Sequence, residues 1–251
     1  MELFELSVLC AAALATSVLS AIVGMAGGIT LLSVMLLFLE PLVAIPLHGV
    51  IQLVSNATRT AIQRRHVDRG ILWRYGLLLF PMGYVGLAVA QSLSPSHLRL
   101  WIGAFVLVAT WAPGWLLLGT HPERSDRNRR FFALGGVAGI LNVTLGAIGP
   151  LIAPFFLNIG LPRQGVIGTK AACQTLGHLT KIAIFGLAGF AFRDYWVALA
   201  LLSAMVIVGT AIGSRWLEYV NELWFTRLYK AVLTVIALRL VVEGVSVLRA
   251  L

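Results

Sequence analysis

The sequence is short of charge, and acidic residues are the scarcest charged type. Only 12% of its 251 residues are charged, 10 are Asp or Glu, and 59% are hydrophobic. This composition excludes an ordinary soluble domain, whose surface carries far more charge. Several apolar runs exceed the roughly 20 residues that cross a bilayer, and none alternates like a barrel strand. Since lipid admits only helices or closed barrels, we predict an all-α polytopic membrane protein.

Other absences narrow the range of functions. Cysteine is limited to Cys10 and Cys173, both in apolar runs, so the sequence indicates no disulfide framework. No Cys and His cluster has metal-ligand spacing, and neither a nucleophile motif nor a phosphate-binding loop is present. We therefore predict no metal, no cofactor and no enzymatic activity. Because Glu2 and Glu5 stand where a signal peptide carries basic residues, no cleavable signal peptide is expected.

Basic residues outnumber acidic ones by 19 to 10, and nine of the 19 fall in two stretches, 59–74 and 119–130. Neither stretch carries a nucleic-acid-binding motif, so no nucleic-acid partner is predicted. Two apolar segments separate the two stretches, which therefore lie on the same side of the membrane. By the positive-inside rule, that side is cytoplasmic.

About eight transmembrane segments are expected. The first and the fifth are too long for one span and contain Gly or Pro near the middle, so we predict that each is broken or re-entrant. The segments are residues 3–39, 45–63, 71–92, 98–118, 131–157, 164–190, 194–215 and 223–248.

The chain repeats itself at a shift of about 122 residues. We therefore predict a first transmembrane repeat of four segments (1–118), a basic linker (119–130) and a second repeat of four segments (131–251). Whether the repeats run parallel or inverted stays open, since transporters use both arrangements. The shift aligns the two breaks, which contain Gly24, Gly27 and Gly28 in the first copy and Gly146, Gly149 and Pro150 in the second.

Two polar ladders, each a run of polar side chains on one helix face, cross apolar segments. Their members follow i, i+3 and i+4 steps, so they share one side of a helix. The first ladder is His48, Gln52, Ser55, Asn56 and Arg59, and the second is Lys170, Gln174, His178 and Lys181.

The ladders are candidate substrate-binding sites. An intramembrane charge costs roughly 2.5–3.5 kcal/mol and normally faces a cavity or a partner. Neither ladder segment contains Asp or Glu, and a cationic, amide-lined cavity without carboxylates suits an anion. The alternative is structural: amides and imidazoles can bond neighbouring helices, and Arg59 and Lys181 can reach the cytoplasmic interface.

The two glycine-rich breaks are candidate anion sites as well. Glycine carries high backbone entropy and proline lacks an N–H, so each helix should unwind, with a second half-helix starting near Ile29 and near Leu151. Its unpaired N–H groups and positive dipole end would face the anion. Close packing through small residues is the alternative, and it is our main interpretation for the glycines of 135–139 and 209–213.

The same residues resemble a known family. "PLHGVIQLVSNATR" followed by "RRHVD", and "IGTKAACQTLGHLTK" in the second half, together with the two breaks, are similar to the sulfite exporter family of TauE/SafE type. The resemblance covers nearly the whole chain. Where many members have a G-T-S-like triplet, this chain has Pro46, Leu47 and His48, a departure that concerns the substrate more than the fold.

The resemblance implies a secondary transporter, acting as an exporter, that moves sulfite or organosulfonates across the bacterial inner membrane. We expect the ladders to face a midplane cavity in which Lys170 supplies the main positive charge, while Arg59 and Lys181 form a cytoplasmic funnel. His48 and His178 would carry a proton, and one repeat would rock against the other. The coupling ion, proton or sodium, and a homodimer stay open. So do two alternatives: an anion channel, and a membrane-embedded enzyme or assembly factor that uses the histidines.

Overall fold

The structure is a computed structural model that describes residues 2–23, 27–117, 126–156, 159–216 and 222–249. Within these ranges all regular secondary structure is helical, which confirms the all-α part of the predicted fold class. The α-helices are α1 (Leu3–Val23), α2 (Gly27–Met35), α3 (Pro41–Ile62), α4 (Arg69–Ser92), α5 (Pro95–Trp111), α6 (Arg127–Thr144), α7 (Gly149–Ile152), α8 (Arg163–Leu187), α9 (Trp196–Trp216) and α10 (Glu222–Arg249).

Polar loop residues fix where several helices begin. The carboxylate of Asp68 accepts a hydrogen bond from the N–H of Ile71 at 2.9 Å and so caps α4. Ser94 and Asp126 cap α5 and α6 in the same way. Such caps satisfy N–H groups that a helix leaves unpaired at its start. The helices therefore begin in the polar loops, outside the apolar segments.

Among the described residues, three stretches are long and apolar enough to cross a membrane: Leu3–Ala21, Arg69–Ser92 and Phe192–Gly213. The ladder helices α3 and α8, with 22 and 25 residues, also have the length of a span. Their polar side chains lower their hydropathy. Helix α4 exposes large apolar side chains such as Trp73 and Phe80, an outer surface that suits contact with lipid.

Each of the two segments predicted to be broken consists of two helices. Helix α1 ends at Val23 and α2 starts at Gly27, with Gly24 outside the described residues. Helix α6 ends at Thr144, and Gly146 then adopts a positive φ of 84°, a conformation that favours glycine. Helix α7 starts at Gly149. Both half-helices thus start within two residues of the positions expected from the sequence.

The α-helix that follows the second break is short. Helix α7 has four residues and passes into a short 3₁₀ helix, Ala153–Phe156. Few aligned peptide groups contribute to the dipole of α7, so its start attracts an anion less strongly than the start of α2, which has nine residues. Helix α2 is itself buried in the protein, since Leu31, Leu32 and Met35 are at most 1% exposed.

Glycines bring several pairs of helices into close contact, and two of these pairs are parallel. A β-carbon on Gly135 of α6 would collide with the carbonyl oxygen of Tyr75 on α4, and one on Gly139 would lie 2.7 Å from that of Leu79. Contacts advance in the same direction along both helices, so α4 and α6 are parallel. Helices α1 and α9 are parallel for the same reason, with Gly209 and Gly213 against the carbonyls of Leu14 and Val18. We call these contacts the α4–α6 seam and the α1–α9 seam.

The two ladder helices pack against each other in opposite directions. His48, early in α3, faces His178, late in α8, with ring centroids 6.0 Å apart. Gln63, just after α3, instead contacts Gly168 near the start of α8. Helices α5 and α10 are also antiparallel, because Arg99 pairs with Glu243 and Trp111 with Thr234. The antiparallel pair α3 and α8 holds both ladders at the centre of the protein.

Candidate functional site

A cavity lies between the two ladder helices, next to both breaks. Its volume is about 40 Å³, which is room for about three water molecules. The residues that line it come from α1 to α4 and from α6 to α8. They are Ser20, Gly28, Ile29, His48, Gln52, Ser55, Asn56, Arg59, Tyr75, Asn142, Ala147, Ile148, Gly149, Ile152, Lys170, Gln174, Gly177 and His178.

The sequence-predicted residues converge on this cavity. All five members of the first ladder line it, and so do Lys170, Gln174 and His178 of the second. The breaks contribute Gly28 and Gly149. The remaining predicted residues lie elsewhere: Gly27 packs against α1, Gly146 packs against Leu32 and Ile45, and Pro150 occupies the first turn of α7 without lining the cavity.

Lys181 does not belong to the cavity lining, and its position differs from the funnel expected with Arg59. Its side chain is fully buried, and its Nζ donates a hydrogen bond of 2.7 Å to the carbonyl oxygen of Gly146. Its Cε passes 3.1 Å from where a β-carbon on Gly49 would lie. Gly49 belongs to the first half of α3 and Arg59 to its last turn, so the two basic residues lie at different levels of the ladder helices.

The cationic groups of the cavity lie near the end of α3 and the start of α8. Lys170 is placed seven residues after the start of α8, and it interacts electrostatically with Arg59 in the last turn of α3. Gln52, Gln174 and Asn56 supply amide groups along the same walls. None of the residues that line the cavity is acidic. The cavity therefore offers positive charge and hydrogen-bond donors, which is the chemistry that binds an oxyanion.

The two histidines lie toward the other end of the ladders. Nε2 of His48 is 2.8 Å from the carbonyl oxygen of Gly28, and because a carbonyl only accepts, this nitrogen carries the proton. The ring of His178 meets that of His48 edge to face, at an interplanar angle of 80°. In the described part of the chain, neither Nδ1 has a hydrogen-bond partner. Both imidazoles therefore retain a free nitrogen within the cavity wall.

Sequence reasoning missed several residues of the site. Asn142 donates a hydrogen bond of 3.0 Å to the carbonyl of Gly177 and lines the cavity with Ser20. A signal for both was present, because the shift of 122 residues that relates the two breaks also places Ser20 on Asn142. Tyr75 reaches the cavity from α4, which carries no ladder and gave no such signal.

An ionic contact ties two loops together near the cationic end of the cavity. Arg127, at the start of α6, pairs with the carboxylate of Asp68, whose backbone N–H bonds the hydroxyl of Thr169 at 3.0 Å. Thr169 precedes Lys170 on α8. Partial burial opposes ionisation of Asp68, but the hydrogen bond from Ile71 and the charge of Arg127 outweigh it and lower the pKa of this carboxyl.

A second ionic group joins three helices near the opposite end. Arg99 of α5 donates to Glu40, which precedes α3, at 3.2 Å and to Glu243 of α10 at 3.3 Å. Arg239 also donates to Glu243, at 2.7 Å. These groups are partly exposed, and together they hold the start of α3 beside α5 and α10.

The architecture indicates the class of protein. An apolar helical protein with two broken segments around a buried, cationic and amide-lined cavity is built like a membrane transporter for anions. The family model described as sulfite exporter TauE/SafE matches residues 9–240. The chain belongs to this family, whose members are membrane-integral transporters. It matches no curated protein and no solved structure.

Proposed function

We propose that the protein is a secondary transporter that exports small anions, such as sulfite or organosulfonates, across the bacterial inner membrane by alternating access. The observation that carries this proposal is the buried cavity, in which Lys170 and Arg59 stand among amide donors without any lining carboxylate. A unit charge about 4 Å from an anion is worth roughly 4 kcal/mol at an effective dielectric constant near 20. Two such cations make the cavity strongly selective for negative charge.

Cavity size sets which anions fit without rearrangement. Room for about three water molecules matches the small volume of sulfite. Gln52, Gln174 and Asn56, whose amides line the cavity, would donate hydrogen bonds to the three oxygens that sulfite and a sulfonate share.

The pattern of helix contacts supports two inverted repeats. Each helix of the first half has a counterpart five helices later in the second half. If every helix is exchanged with its counterpart, the α1–α9 seam becomes the α4–α6 seam, while the pairs α3 with α8 and α5 with α10 stay the same pairs. A two-fold axis along the membrane normal would make the self-mapped pairs parallel. Both are antiparallel, so the axis lies in the membrane plane, as in inverted-topology transporters.

The orientation follows from this arrangement and from the distribution of charge. Helix α2 folds back beside α1, because Gly27 contacts Thr16 and Ser20 of α1. It runs opposite to α3, because Gly28 lies beside Gln52 while α2 ends just before the start of α3. Stretches 59–74 and 119–130 then share one side, which the positive-inside rule makes cytoplasmic. Lys170 and Arg59 lie toward the cytoplasmic mouth, and the histidines toward the exit.

The seams determine which parts can move as rigid bodies. Each seam joins a helix of the first repeat to one of the second, and its glycines leave no space between the backbones. The two halves of the chain are therefore interleaved, and we propose moving units that differ from the two repeats. The moving units are one bundle containing α1 and α9 and another containing α4 and α6. Alternating access then occurs by sliding where α3 meets α8, whereas Gly103 and Gly244 pack α5 closely against α10.

Flux of labelled sulfite from proteoliposomes tests the proposal. Lys170→Ala and Gln174→Ala should each lower the flux at least tenfold, because they remove a cation and a donor from the cavity. Lys230→Ala, on a lysine that lies 5.2 Å from the Trp111 ring, and Gln91→Ala at an exposed site are matched controls. Wild-type flux in both cavity variants would refute the site. Unitary currents in a planar bilayer would indicate an anion channel, and conversion of the anion would indicate an enzyme.

A further inference from the structure

A basic cluster of Lys181, His48 and His178 lies beside the exit end of the cavity. Lys181 follows His178 by one turn of α8, and its Cε passes over Gly49, the residue next to His48. The two imidazole rings are 6.0 Å apart. Both line the cavity, whereas the amine lies behind them and bonds the carbonyl of Gly146. The cluster therefore connects a buried amine to the cavity through two imidazoles.

Among the residues that the structure describes, no acidic group faces this cluster. Helices α2, α3, α6, α7 and α8 contain neither Asp nor Glu. The charged groups nearest along the cavity, Lys170 and Arg59, have the same sign as an ammonium ion, and Tyr75 of α4 is the remaining titratable group of the lining. An ammonium ion at Lys181 would thus be a buried charge with one neutral hydrogen bond and no carboxylate to compensate it.

We infer that Lys181, His48 and His178 form a proton-binding site that takes up a proton when an anion occupies the cavity. The anion supplies the negative charge that the protein lacks, so protonation of the cluster and anion binding favour each other. The imidazoles, whose buried Nδ1 atoms have no hydrogen-bond partner among the described residues, and the amine share the proton that is taken up. No covalent bond to the anion forms or breaks.

This inference rests on the proposed function and adds its coupling ion. A monoanion that travels with one proton carries no net charge, so the membrane potential would not drive its export. The flux would instead follow the concentration gradients of the anion and of protons. The site is distinct from Lys170 and Arg59, which attract the anion.

Titration calorimetry of the full-length protein in detergent measures the proton directly. Methanesulfonate and sulfate keep their charge between pH 6 and 9, so any proton taken up on binding belongs to the protein. Heats measured in buffers of different ionisation enthalpy should give about one proton per anion for the wild type. Lys181→Met should still bind the anion and take up less than half as much. Lys181→Arg, whose side chain stays charged, should do the same.

Further variants keep the test decisive if Lys181→Met does not fold. The double variant His48→Asn with His178→Asn should lower the number of protons taken up per bound anion, whatever its affinity, and Lys230→Met should behave as wild type. Anion binding without proton uptake by the wild type overturns the cluster and leaves the proposed function standing. Undiminished uptake in the Lys181 and histidine variants overturns it too. If neither probe nor sulfite binds, the proposed function and the cluster both fail.

Discussion

A disulfide across the α4–α6 seam should leave transport intact, whereas one between α3 and α8 should stop it. The seam bridge joins Leu78→Cys to Gly136→Cys. The β-carbon of Leu78 lies 3.7 Å from the β-carbon that Gly136 would acquire. In a disulfide the two β-carbons are about 3.5–4.5 Å apart. The bridge thus forms without moving either helix. Because the two helices belong to one moving body, the flux should change less than about twofold.

The second bridge joins Thr60→Cys to Thr175→Cys. The hydroxyl oxygens of these threonines are 3.1 Å apart, so sulfur atoms at those positions need to approach by about 1 Å to form the bond. The bond then prevents α3 from sliding along α8. We expect the flux to fall at least tenfold, which corresponds to a barrier raised by roughly 1.4 kcal/mol or more.

Both pairs are introduced in a background with Cys10→Ser and Cys173→Ala, and mass spectrometry verifies each bridge. Flux of labelled sulfite is measured in proteoliposomes after oxidation and again after reduction, so each protein serves as its own control. Full flux through the oxidised α3–α8 bridge would refute sliding at that contact. A seam bridge that reversibly blocks flux would show that the bodies are divided differently.

Three further predictions concern packing, the ionic loop contact and the cavity charge. Gly135→Ala sets a methyl group against the carbonyl of Tyr75 and should destabilise the protein by about 1–3 kcal/mol, seen as a lower melting temperature. Asp68→Asn removes the pair with Arg127, which is partly exposed, and should cost about 0.5–1 kcal/mol. The pKa of Asp68 is lowered in the native protein. The difference in stability between the wild type and Asp68→Asn should therefore reach its full size above about pH 4 and vanish as the pH falls further, which unfolding measured at a series of pH values checks. Gln174→Glu places a carboxylate in the cavity and should cut sulfite flux about 100-fold, from roughly 3 kcal/mol between like charges about 6 Å apart.

Each of these predictions has a matched control. Gly114→Ala adds a methyl group where no atom lies within 4 Å and should not change the melting temperature. Asp194→Asn alters an exposed carboxylate and should not change the stability of the protein. Gln91→Glu adds the same charge far from the cavity. A stable Gly135→Ala protein would contradict the tight seam, and undiminished flux in Gln174→Glu would contradict an anion cavity.

Much of the site follows from helical periodicity and from the internal repeat. Steps of three and four residues place His48, Gln52 and Arg59 on one face, and a buried polar face in an apolar helix has to meet another such face or a cavity. The shift of 122 residues predicts where the partner ladder lies. It also relates Ser20 to Asn142, although neither belongs to a ladder. Helical geometry along one chain is therefore sufficient to assemble most of the lining.

Lys181 could not be placed in this way, and the physical reason is the inverted direction that we propose for the second repeat. The shift aligns Lys181 with Arg59, which suggests that both lie at the same surface. In inverted repeats, equivalent residues lie on opposite sides of the membrane midplane, so the partner of a residue near one surface lies near the other. Periodicity does not reveal this direction. Tyr75 was missed because contacts across the α4–α6 seam depend on tertiary packing.

The α1–α9 seam has a consequence for biosynthesis. Leu14 contacts Gly209, so the first helix waits for a partner nearly two hundred residues later in the chain. At about 5–20 residues per second, that delay is on the order of 10–40 s. Until then the glycine-lined groove of α9 does not exist, and α1 stays in the bilayer with its packing face turned to lipid or to an insertion factor. The native arrangement is therefore completed only after the ninth helix has left the ribosome.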